Sequence, residues 1–235
     1  MSKKRKILAV GCLVCGLVCI ALAGSELMDY WSADQEYHEL EEKVVTETAD
    51  SFSVDWDTLL AQNSDVIAWI RMDPGISYPV VAGIDNRYYL RRGIDREYNR
   101  NGALFLDCNN QSVADAHAII YGHHMKNGSM FGDLDLYREE SYGMEHPYIW
   151  IYTPQGSCEY RIFCAIVTED GSWVYRTILN QGVDVLEYLD SCRENAAYWD
   201  DSVMLSEESN ILTLSTCLGR SGGTRRLAVQ AVRVK

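Results

Sequence analysis

Ile211-Leu-Thr-Leu-Ser-Thr-Cys217 alternates, with Leu212 and Leu214 on one face of an extended strand and Thr213, Ser215 and Cys217 on the other. Such a strand packs against a core on its aliphatic side, and the thiol belongs to the polar side. A buried strand-end cysteine is the ordinary fate of this pattern. Gly219, Gly222 and Gly223 come at once after it, however, and open a loop where a reactive group is reachable. In the next run, Leu227 to Val234, one face is Leu227, Val229 and Ala231 and the other is Ala228 and Gln230. Continued backwards, the alternation sets Arg226 with Gln230 and Arg225 with the apolar set.

Further short runs of the same kind precede this pair: Tyr78 to Val81, Ala103 to Leu106, Ala118 to Tyr121, Tyr148 to Tyr152 and Tyr160 to Val167, separated by turn residues. Val66 to Ile70 is an extended apolar segment that Pro74 and Gly75 turn back. Helical character interrupts the rhythm at Asp55 to Leu60, reaching towards Asn63, at Met130 to Tyr137, and at Val183 to Tyr198, where Val185, Leu186, Leu189 and Cys192 share a side. Repeats and low-complexity tracts are absent. The order predicts a mainly β fold, a barrel with helices at its start and in one crossover.

The formal net charge of −13 excludes a nucleic-acid surface, which needs clustered Lys and Arg. The basic residues that do cluster, Lys3, Lys4, Arg5 and Lys6, stand directly before the uncharged run from Ile7 to Gly24. That is a positive-inside flank, and 18 residues of helix rise roughly 27 Å, close to the ~30 Å hydrocarbon core. Residues 1–24 are therefore read as a basic cytoplasmic flank and a transmembrane anchor. A cleaved signal peptide ending near Ala21-Leu22-Ala23 is the alternative, and both readings export the remainder of the chain. Residues 25–50, rich in Asp and Glu, read as an acidic helical stalk.

Of eight cysteines, Cys12, Cys15 and Cys19 fall in the apolar run, leaving Cys108, Cys158, Cys164, Cys192 and Cys217 in the exported part. An odd exported set leaves at least one thiol unpaired. No zinc-like cysteine spacing occurs outside the apolar run, and no metal or cofactor is called for. A thiol near its ordinary pKa of ~8.5 is mostly protonated at neutral pH, so a nucleophilic cysteine needs a histidine partner. His38, His117, His123, His124 and His146 are the candidates, and His123 stands where the run Ala118 to Tyr121 ends at Gly122 and opens into a loop.

Taken together, the motifs carry a family resemblance. Ile120-Tyr-Gly-His-His-Met125 with Asn127-Gly-Ser-Met-Phe-Gly132 resembles the histidine motif of class B sortases, Thr213-Leu-Ser-Thr-Cys217 their nucleophile motif, and Arg226-Leu-Ala-Val229 the arginine that opens their final strand. Tyr88-Tyr-Leu90 and Gly102-Ala-Leu-Phe-Leu-Asp107 are similar to intervening segments, so the resemblance spans roughly residues 52–235 in order. It implies that residues 51–235 form a sortase-type closed β-barrel of about eight strands, with a long helix in the crossover between strands six and seven. It also implies a cysteine transpeptidase. Cys217 is then the nucleophile, His123 the acid/base, and Arg226 the residue that donates to the oxyanion or holds the signal. Leu90, Tyr175, Ser215 and Thr216 are expected to wall the substrate groove. The implied partners are surface proteins bearing a C-terminal sorting signal, cleaved after Thr, and an amine acceptor on a peptidoglycan precursor or a pilin lysine. The implied place is the cell membrane, single-pass, with the catalytic domain outside. Two alternatives stay open on the residues alone: an exported cysteine peptidase that releases its thioacyl intermediate to water, and a non-catalytic adhesion module.

Overall fold

The alternation along Ile211 to Cys217 survives into three dimensions and organises the molecule. The computed structural model describes residues 3–49, 51–177, 183–219 and 223–235, with the side chains of 3–10, 13, 14, 21–23, 25–31 and 183 outside the described set. In chain order come helix α1 (Lys3–Val44), strands β1 (Val45–Thr48) and β2 (Ser51–Val54), helix α2 (Trp56–Gln62), and strands β3 (Val66–Met72), β4 (Ile76–Ala82), β5 (Leu104–Leu106) and β6 (His117–Tyr121). Helix α3 (Glu140–Glu145), strands β7 (Tyr148–Thr153) and β8 (Gly156–Glu169), helix α4 (Val183–Asn195), and strands β9 (Tyr198–Trp199), β10 (Ile211–Cys217) and β11 (Arg225–Arg233) complete the chain. Single 3₁₀ segments lie at Tyr88–Arg91, Gly132–Arg138 and Trp173–Tyr175.

Strands run in the order β11-β10-β6-β5-β4-β3-β7-β8, and β11 pairs back onto β8, which closes an eight-stranded barrel. β9 hangs outside the ring on β8. Closure leaves the ring without free edges. The expected closed barrel of about eight strands is therefore present, and α4 lies between its sixth and seventh strands in chain order.

Leu212, Leu214, Leu227 and Val229 point into the barrel core with Ile70, Ile151 and Ile162. Ile211, Ala228 and Val232 face the other way, under Val185, Leu189 and Cys192 of α4. Between the two layers, the Gln230 amide donates to Thr213 Oγ1 at 3.2 Å, and Thr213 Oγ1 lies 2.8 Å from His117 Nε2. His117 Nδ1 donates to the Arg176 carbonyl at 2.8 Å, and Tyr188 of α4 donates to the Val174 carbonyl at 3.1 Å. This buried polar seam ties the crossover to β10 and β11, and its donors are paired, as burial requires.

Asp55 caps α2, accepting from the Thr58 amide at 3.1 Å and the Thr58 hydroxyl at 2.7 Å, so the Asp55-to-Asn63 helix begins and ends where the sequence placed it. At its far end the Asn63 amide donates to Tyr89 Oη at 2.9 Å and the Ile94 carbonyl at 2.8 Å, pinning the segment around residues 88–94 to the barrel.

Three expectations are corrected. The segment 25–50 is helical only to Val44; the next residues form the β1–β2 hairpin, because β-branched Val45, Thr46 and Thr48 pair with Ser51–Val54. Nor does the end of this helix stand free: Ala33, Tyr37, Leu40 and Val44 are buried, and the Tyr37 hydroxyl donates to the Gly102 carbonyl at 2.6 Å. The crossover helix stops at Asn195 rather than Tyr198, since the Ala197 amide is captured by the Ala165 carbonyl at 2.8 Å and Tyr198 pairs with β8. The Met130 to Tyr137 helix is a 3₁₀ segment starting at Gly132. Among the described residues no helix is long and apolar enough to cross a membrane, and the side chains of residues 7–10, 13, 14 and 21–23 of the apolar run lie outside the described set.

Candidate active site

Two strand pairings carry three sequence-distant side chains to one end of the barrel. β6 and β10 run parallel with Ser215 opposite Tyr121. Beyond that pair the two chains stay joined: the Gly122 amide donates to the Ser215 carbonyl at 3.1 Å, and the Thr216 hydroxyl donates to the Gly122 carbonyl at 2.9 Å. His123 therefore leaves β6 alongside Cys217 leaving β10. A side chain at Gly122 would run into Leu104 and Phe131, which is why this approach takes glycine. On the other flank β11 is antiparallel to β10 with Arg226 opposite Cys217.

Cys217, His123 and Arg226 line one cleft of about 320 Å³, together with Leu90, Ser215, Thr216 and Tyr121. That volume is within the usual range for a small binding site. A larger cavity of about 590 Å³ lies between α1, the start of β4 and the Asn127–Ser129 loop, and no cysteine lines it.

His123 Nε2 donates to the Leu90 carbonyl at 2.7 Å, since a carbonyl can only accept. Nδ1 of the neutral ring is thereby left to take a proton. Burial holds His123 below the ordinary imidazole pKa and nearby Arg91 adds to this, while the bond to Leu90 works against both. The ring is accordingly neutral at neutral pH, as a base must be.

Arg226 is largely buried and held on three sides: Nη1 donates to the carbonyls of Gly223 at 2.7 Å and Arg225 at 3.1 Å, and Nη2 pairs with Asp170 at 3.2 Å. Arg225 lies on the strand face opposite Arg226, as the alternation predicts, and is exposed because it stands at the very start of β11, opposite Glu169; Arg220 lies outside the described residues.

Of the expected groove residues, Leu90, Ser215 and Thr216 line the cleft directly. Tyr175 sits behind Ser215, with their hydroxyls 3.0 Å apart, and its ring stacks on Tyr121 at 6.1 Å. Burial pushes the Tyr175 phenol up to about 12, so it stays a neutral hydrogen-bonding group.

The other histidines go elsewhere. His117 is buried in the seam beneath α4, His124 lies 3.3 Å from Asp135, His38 is exposed beside Glu42, and the ring of His146 lies against Tyr142.

Asn86, Arg87, Phe105 and Asp170 also line the cleft, and sequence reasoning passed over all four. For Asn86 the signal was a faint one, an Asp85-Asn86 turn pair beside the quoted Tyr88 to Leu90 segment. Buried Asp107 explains its placement, accepting from the Asn86 amide and the Tyr121 hydroxyl at 2.8 Å each.

Comparison with known proteins agrees with this geometry. The sortase domain family profile matches residues 73–234. Sortase B of Listeria monocytogenes is 33% identical over 157 residues, covering 66% of this chain and 63% of that relative, somewhat under two thirds of its length. Sortase B of Staphylococcus aureus is 27% identical across 100% of this chain and 99% of its own. The solved Staphylococcus aureus sortase B–substrate complex superposes with a TM-score of 0.76 at 26% identity, covering 88% of this chain and 99% of that one.

Proposed function

The chain belongs to the sortase family, in its class B, whose members are cysteine transpeptidases, and on that premise we propose that Cys217, His123 and Arg226 perform the reaction in the cleft at the barrel's end. The observation that carries the assignment is the pairing of Cys217 with Arg226 across β10–β11 in the cleft that His123, hydrogen-bonded to the Leu90 carbonyl, also lines.

Cys217 Sγ gives its proton to His123 and attacks the threonine carbonyl carbon at the scissile bond of an extended sorting signal. The negative charge that develops on the carbonyl oxygen is stabilised by the Arg226 guanidinium, already oriented by its backbone and Asp170 contacts. Collapse of the tetrahedral intermediate breaks the C–N bond, and His123 protonates the departing amine. A second amine then attacks the thioester: a C–N bond forms, the C–S bond breaks, and the amine's proton returns to the Cys217–His123 pair. Leu90, Ser215 and Thr216 wall the path of the signal, and Tyr175 holds the Ser215 hydroxyl. The acceptor amine is that of a peptidoglycan cross-bridge or a pilin lysine.

Sortases are cell-envelope enzymes. The Lys3 to Lys6 cluster before the apolar run Ile7 to Gly24 supports a single-pass anchor that leaves residues 51–235 outside the cell as the catalytic unit.

Incubating the full chain with sorting-signal peptides and digesting the quenched protein tests the nucleophile. A peptide adduct on Cys217 that hydroxylamine releases is expected; an adduct on Cys108, Cys158, Cys164 or Cys192 relocates the site.

A further inference from the structure

The charged side chains of the cleft are unevenly matched. Asp170 is its acidic member and is already paired with Arg226 at 3.2 Å. Arg87 lines the same cleft, is exposed, and makes no close ion pair among the described residues, the carboxylate its charge reaches being that of Asp85. Arg91 stands near His123 and Arg92 lies over the Tyr88 ring at 4.5 Å, so the rim on this side carries a group of guanidiniums. In a chain of net charge −13, a cationic rim beside the catalytic groups is a local exception.

Arg87 is also held in place from below. Asp85 Oδ1 accepts from the Arg87 amide at 2.8 Å and the Tyr88 amide at 2.7 Å, an Asx turn that fixes the backbone. Asn86 donates to buried Asp107 and accepts from the Cys108 amide at 2.8 Å, and Tyr89, fully buried, bonds to Asn63 and to Asp65. The backbone that carries Arg87 is thus fixed, so that only the side chain is left to order when it meets a partner.

We infer that Arg87 is a specificity-determining residue that reads a carboxylate side chain, Asp or Glu, in the peptide segment lying in the cleft. This rests on the reading of the cleft as the sorting-signal site and adds the chemical class of the signal to it. Planar, two-pronged donation suits a carboxylate, and an amide of the same shape lacks the charge. A basic side chain in the peptide would meet Arg87 as a like charge and finds no such match on this wall.

The test uses the full chain and peptides with a constant threonine at the cleaved bond, each other position carried in turn as Glu, Gln or Lys. At one position the Glu peptide should exceed its Gln counterpart by about five-fold in kcat/KM, near the upper end for a partly exposed charge pair, and the Lys peptide should fall below both. Raising the salt concentration should shrink the Glu/Gln ratio. Arg87→Gln should bring the ratio close to one, and Arg87→Glu should invert the order of the Glu and Lys peptides. Cleavage with Glu/Gln ratios near one at every position overturns the inference and leaves the sortase reading standing. The inference equally falls if a preference for Glu persists unchanged in both Arg87 variants. Failure to cleave any peptide strikes the sortase reading itself.

Discussion

Arg226 and Arg225 are neighbours in sequence, yet only one faces Cys217, and the reason is a period of two. Arg226→Ala is expected to lower kcat/KM by at least about 100-fold, the scale of a lost oxyanion donor. Arg226→Lys should also be poor, since an ammonium cannot reproduce the planar fork that here serves two carbonyls and Asp170. Steady-state kinetics on Arg225→Ala supplies the control, and a collapsed Arg225 variant beside a near-normal Arg226 one would reverse the assignment. The choice was legible because the aliphatic set Leu227, Val229 and Ala231 fixes the strand's faces by local alternation alone. Asp170 was not legible. It reaches Arg226 from a turn 56 residues away, and nothing in Glu169-Asp170-Gly171 announces a partner that only β8–β11 pairing brings near.

At the level of elements, the crossover containing α4 is fastened to the barrel by the seam of His117, Thr213, Gln230 and Tyr188. Burial lowers the His117 pKa to about 4 from the ordinary 6.5. Between these values the unfolded chain binds a proton that the folded chain refuses, so stability falls as pH drops through the window. The loss approaches about 3 kcal/mol once pH is below both values. Urea midpoints at pH 7 and pH 4.5 should therefore separate more in the parent chain than in His117→Gln; equal separations would mean that His117 is not held neutral. The N-terminal helix is fastened differently, through Tyr37, Leu40 and Val44. Tyr37→Ala, which leaves a hole and frees the Gly102 carbonyl, should cost about 3–5 kcal/mol in chemical denaturation; a loss under about 1 kcal/mol would mean α1 is not part of the cooperative unit. Strand positions were the readable part of the fold, since alternation and turn residues mark them locally. The β1–β2 hairpin and the early end of α4 were not, because both depend on a partner strand that claims the backbone amides.

Across the whole molecule, the order of motifs was readable and their convergence was not: β10 brings His123 and Arg226 to Cys217 only by pairing with distant β6 on one side and with β11 on the other. The basic flank and apolar run predict that fractionation finds the intact chain with membranes and its C-terminus open to external protease. Soluble protein beginning near Gly24 or Ser25 would favour the cleaved alternative instead. The larger question is whether the thioester formed at the barrel's end is passed to an amine or lost to water, since Cys217, His123 and Arg226 serve both outcomes equally. Product partition answers it. With the full chain, a cleavable sorting-signal peptide and a rising concentration of oligoglycine or lysyl amine, mass analysis should show the free acid giving way to the amide, and Cys217→Ala should yield neither. Acid as the sole product at saturating amine of every type, or turnover that survives Cys217→Ala, would contradict the account.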